Sequence, residues 1–97
     1  MEKIIRDGKV AVAVSYGYGA GWSTWCDVNP MDAEFNQLFL DDNYDEALKL
    51  AESKDYYAGG LEDVVIEWVD IGDRFEIGEY DGAENLRVLR PDDGYLA

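Results

Sequence analysis

The chain has 97 residues, enough for one domain spanning 1–97 with a modest core. Its 22 acidic and 8 basic residues leave a net charge of −14, which argues against direct binding to nucleic acid or to an anionic membrane. At 47% apolar and 13% aromatic it has the hydrophobic content to fold, yet no apolar run long enough to span a bilayer.

Histidine is absent, which removes the usual general base, metal ligand and physiological pH switch together. Cys26 stands alone, so neither a disulfide framework nor a cysteine zinc site is available, and the thiol reads as a small buried filler. The N-terminal MEKIIRDGKVAVAV has an early acid and no small-residue cleavage site, and reads as mature protein in a reducing cytoplasm. The acidic surplus has two readings: a solubilising surface, or one aimed at a basic partner.

In chain order, Asp7-Gly8 is a turn signal, and Lys9–Ser15 (KVAVAVS) reads as a strand buried on both faces. A glycine-rich stretch then breaks regular structure. Asn29-Pro30 signals a helix start with Asp32 in its first turn, and Met31, Phe35, Leu38 and Phe39 form its apolar stripe. A second start at Asn43, with Glu46 three residues on, opens a helix striped by Tyr44, Ala47, Leu48 and Ala51. Because only Asp41-Asp42-Asn43 separates the two, one bent helix is the alternative.

Asp81-Gly82 is a two-residue hairpin turn that pairs Ile77 with Leu86, Phe75 with Val88 and Glu76 with Arg87. A four-residue loop at Asp70–Asp73 would pair Trp68 with Phe75 and Ile66 with Ile77, giving a three-stranded meander. The expected architecture is therefore α+β: an antiparallel sheet of the N-terminal strand plus this meander, covered by two short helices. Residues 91–97 read as a loosely held tail.

The segment YGYGAGWSTW, residues 16–25, is the candidate site. Gly17, Gly19 and Gly21 permit close backbone approach and leave amides free to form an anion-binding nest. Ser23 and Thr24 add hydroxyls, while Tyr16, Tyr18, Trp22 and Trp25 offer ring faces for a base or sugar. Dedicated phosphate motifs are missing, since Trp22 stands where G-x-G-x-x-G needs its last glycine and no Lys or Arg lies between Lys9 and Lys49. A turn whose tryptophans plug the core is the competing reading. Catalysis ranks below both: adjacent acids such as Asp41-Asp42, Asp45-Glu46 and Asp92-Asp93 follow from acid crowding, and no EF-hand spacing is present.

The stretch Tyr16–Trp25, together with EWVDIGDRFEIGEYDGAENL from Glu67 to Leu86, resembles a group of short proteins encoded by phages and prophages. In that group a GAGWSTW stretch follows a first strand and an EYDG hairpin closes the chain. The resemblance implies a viral accessory protein in the host cytoplasm, a setting in which small proteins neutralise host defences. The expectation is a non-enzymatic, homo-oligomeric protein without cofactor. Its Tyr16, Tyr18, Gly19, Gly21, Trp22, Ser23, Thr24 and Trp25 would hold a nucleotide-type ligand, with an arginine lent by a neighbouring copy. The alternative is an acidic inhibitor or DNA mimic that occludes a basic host protein.

Overall fold

Strand β2, Lys9–Ser15, alternates valine with alanine, and that alternation sets the layers of the molecule. Val10, Val12 and Val14 project from one face and Ala11 and Ala13 from the other, and all five are buried. The computed structural model describes residues 2–89 and 94–97. Strand β1, Ile5–Arg6, folds back along one edge of β2 through Asp7 and Gly8, whose φ values of 52° and 76° fit a primed hairpin turn. Strand β3, Val64–Asp70, pairs antiparallel along the other edge, from Lys9 opposite Asp70 to Ser15 opposite Val64.

The remaining strands form a second antiparallel sheet, with β4, Arg74–Tyr80, between β5, Ala83–Leu89, and β6, Tyr95–Leu96. Its Phe75, Ile77 and Leu86 close over the valine face of β2, together with Met31, Val69 and Ala97. The alanine side receives the helices. Phe35 and Phe39 of α1 (Ala33–Leu40) and Ala47 and Ala51 of α2 (Tyr44–Ser53) pack around Ala13 with Trp22, Leu61 and Val64. Alanine is needed there because α1 comes close: buried Asn36 donates from Nδ2 to the carbonyls of Ala11 and Pro30, at 3.1 and 2.9 Å. The order of layers is helices, first sheet, second sheet.

The α+β class is the fold observed, but one pairing differs from expectation. The β4–β5 hairpin has the anticipated register, Ile77 opposite Leu86 and Phe75 opposite Val88. However, β3 pairs with β2 instead of β4, so the expected meander is divided between two sheets. The reason is burial. A strand apolar on both faces needs a cover on each side, and the chain at Asp70–Asp73 crosses from one sheet to the other so that Phe75 and Ile77 supply the second cover.

Asp32, not Asn29, caps α1, its carboxylate accepting from the Phe35 amide, while Asn29 Oδ1 accepts from Met31 in the preceding turn. Met31 accordingly leaves the helical stripe and packs between the sheets. The helices are separate. Each ends with an aspartate at positive φ, Asp42 and Asp55, and the amides of Asn43 and Tyr56 return to Leu38 and Ala51. The expected loose tail is corrected over 94–97: Tyr95 and Leu96 pair with β4, and buried Ala97 exchanges backbone bonds with Gly72 and Asp73. Asp92-Asp93 lies outside the described residues.

Two glycines separate strain from packing. Both Gly72 and Gly82 have positive φ, but a Cβ at Gly72 would meet nothing within 4 Å, whereas one at Gly82 would fall 2.2 Å from the Ala20 nitrogen. In urea denaturation Gly72→Ala should lower stability by about 1 kcal/mol and Gly82→Ala by roughly 3 kcal/mol or more.

Candidate functional site

After Ser15 the chain crosses the common end of the two sheets before entering α1. The β4–β5 turn is pressed against it. The Gly19 amide donates to the Asp81 carbonyl at 2.6 Å, and Gly82 sits against the Ala20 backbone. On the other side the Ser15 hydroxyl donates to the Gly60 carbonyl at 2.7 Å.

Glu84 of β5 projects into the loop and is only 2% exposed. Its Oε1 accepts from the Ser15 amide at 2.9 Å. Its Oε2 accepts from the amides of Trp22 (2.7 Å) and Thr24 (3.0 Å) and from the Thr24 hydroxyl (2.6 Å). The glycine-containing loop is thus an anion nest, and the anion it holds is a carboxylate of its own chain. Four donors compensate a group that would otherwise be very costly to bury.

The loop aromatics divide into two sets. Trp22 is fully buried, edge-on to Phe35 with centroids 5.0 Å apart and to Phe39 at 5.9 Å. The others face outward. Trp25 is 44% exposed and stacks on Tyr57, itself 57% exposed, with centroids 5.7 Å apart and planes 28° from parallel. Tyr18 is 80% exposed, and exposed Tyr16 donates its hydroxyl to Glu67 at 2.8 Å.

Of the eight expected site residues, the structure groups Thr24 and Trp25 beside Tyr57, around an open depression of about 480 Å³. Tyr16, Tyr18 and Gly19 are exposed and Ser23 is half-buried. The expectation is corrected for Trp22 and Gly21, which are buried and present no surface, and for Thr24, whose amide and hydroxyl already bind Glu84. The Tyr16, Gly19 and Trp25 amides also have partners within the chain.

Glu84, Glu79 and Tyr57 escaped the sequence reading. A signal for the first two was present: the hairpin register pairs Glu79 with Glu84 and places both on the face of Phe75, Ile77 and Leu86. Two acids in line with an apolar face imply donors waiting opposite. Tyr57 gave none.

The exposed acids are also organised. Glu79 Oε2 accepts from Trp25 Nε1 at 3.1 Å and from the Gly82 amide at 2.9 Å, and these two donors hold its carboxyl below the usual carboxylate range. Partial burial, reinforced by the hydrogen bond to Glu67 and its charge, pushes the Tyr16 phenol up to about 12. Burial likewise raises the Cys26 thiol, which is half-buried and donates to the Tyr57 carbonyl at 2.9 Å. Among the described residues no group of three or more Cys, Asp or Glu side chains could hold a metal ion, and no helix is long and apolar enough to cross a membrane. No protein-family model, curated protein or solved structure matches the chain.

Glu84→Gln sets an amide NH₂ against a main-chain N–H, and should lower unfolding free energy by roughly 1–3 kcal/mol in urea melts. Glu84→Ala, which strands all four donors, should lower it by more. Tyr16 has a folded pKa above the unfolded value of about 10, so its contribution is complete below that pH and is lost as pH rises toward 12. Burial and the nearby Asp42 charge also raise the Tyr44 phenol, so a spectrophotometric phenol titration should show late-ionising tyrosines, of which Tyr16→Phe removes the one near 12.

Proposed function

We propose that the protein is a non-enzymatic, acidic binding protein that occludes a basic protein of a host cell, as its resemblance to short phage and prophage proteins would suit. The observation that carries this reading is the surface around the glycine-containing loop. Tyr16, Tyr18, Trp25, Tyr57 and Tyr80 are exposed there, among Asp63, Glu67, Glu79 and Asp81. The segments that build it, 10–48, 55–73 and 75–86, contain no lysine or arginine. These carboxylates pair with no cation among the described residues, and exposed rings among them suit the long stems and charged heads of lysine and arginine.

The nucleotide reading has less support. The nest that would hold a phosphate is occupied by Glu84, Trp22 is not at the surface, and a phosphate would approach a field of its own sign. Calorimetry separates the two. A nucleotide panel should give no heat, while a basic nucleic-acid-binding protein should bind at low salt and lose most of its affinity by about 0.5 M. Heat from any nucleotide at micromolar concentration, or basic-protein binding indifferent to salt, would overturn the proposal.

A further inference from the structure

The acidic-binding reading leaves open how a cationic side chain would be recognised, and the Trp25–Tyr57 pair answers it. The Trp25 indole is fixed in two ways: its ring stacks on Tyr57, and its Nε1 donates to Glu79. The Glu79 carboxylate therefore lies at the edge of the indole. It is itself fixed, because the Gly82 amide donates to the same Oε2. Oε1 accepts no hydrogen bond among the described residues, and the Glu79 side chain is exposed. The result is a flat aromatic surface that lines an open depression, with a carboxylate held at the Nε1 edge of the indole before any partner arrives.

We propose that Trp25, Tyr57 and Glu79 form a receptor for an arginine side chain of the basic partner. This inference rests on the acidic-binding reading and sharpens it to one residue type. A planar guanidinium can lie on an indole or phenol face while its edge donates to the adjacent carboxylate, a geometry that ammonium cannot match. Guanidinium is also more weakly hydrated than ammonium, so less is lost when it leaves water for an aromatic surface. An apolar side chain would leave Glu79 without a counterpart, and an anionic ligand would be repelled by it. The preorganisation matters too: a carboxylate already oriented by two donors loses little freedom on pairing.

The test measures binding of nona-arginine and nona-lysine peptides, followed by quenching of tryptophan emission and by calorimetry at about 0.05 M salt. Nona-arginine should bind more tightly than nona-lysine. Trp25→Ala and Tyr57→Ala, which leave the net charge unchanged, should each weaken nona-arginine by about fivefold or more. Glu79→Gln keeps an oxygen for the Trp25 and Gly82 donors and should weaken it similarly. Glu34→Gln removes the same charge from an exposed position on α1 and should change affinity by no more than about twofold. Far-UV circular dichroism of each variant identifies any that fails to fold, and Glu79→Gln still decides the matter if an aromatic truncation does.

If Trp25→Ala, Tyr57→Ala and Glu79→Gln all behave like Glu34→Gln, or if the two peptides bind equally, the arginine receptor is wrong while the acidic-binding reading stands. If neither peptide binds the unaltered protein at low salt, the acidic-binding reading itself fails.

Discussion

Glu84 joins two parts of the chain that are distant in sequence, and most of the site follows from where that carboxylate sits. A loop with freed main-chain amides and a buried carboxylate are each unfavourable alone: the first leaves donors without acceptors, the second a charge without donors. Brought together, each satisfies the other through four hydrogen bonds to Ser15, Trp22 and Thr24. Holding the amides of residues 22 and 24 on one carboxylate fixes the local course of the backbone. Trp22 then enters the helical core, and Trp25, three residues on, reaches the surface. The close approach of Gly82 to Ala20 belongs to the same arrangement.

The parts of the fold legible in the sequence are those set by local chemistry. Asp81-Gly82 defined the hairpin and its register, and the Asn43 start placed the second helix one residue from where it begins. The alternation of β2 showed a strand buried twice over. Pairing between strands was less legible, because Val64–Val69 alternates in a way that fits β2 or β4 equally, and the choice depends on which surfaces remain uncovered. Helix ends were hidden for a different reason. Asp42 and Asp55 occupy left-handed positions where glycine is the familiar signal, and aspartate tolerates them. In the candidate site, the anion-nest chemistry was readable from the glycines and hydroxyls. The identity of the anion was not, since it arrives from some sixty residues downstream.

The charge distribution shows how a chain with net charge −14 stays folded. Glu84 is the one acid buried among the described residues, and Lys9–Asp70, Lys49–Glu46 and Arg87–Glu76 are the ion pairs found there, all at the surface. Such pairs contribute little in water. The fold is therefore held by its two apolar layers and tolerates the acids by keeping them solvated.

Three of the four groups that bind Glu84 are peptide N–H groups, present whatever side chain the residue carries. The carboxylate consequently reads spacing more than sequence. Conservative exchanges at Ser15 or Thr24 leave every amide in place, whereas inserting or deleting one residue between them shifts the whole set out of reach. Variation in this stretch is thus constrained in length before it is constrained in composition, and the opposing acid on the hairpin has the least freedom of all.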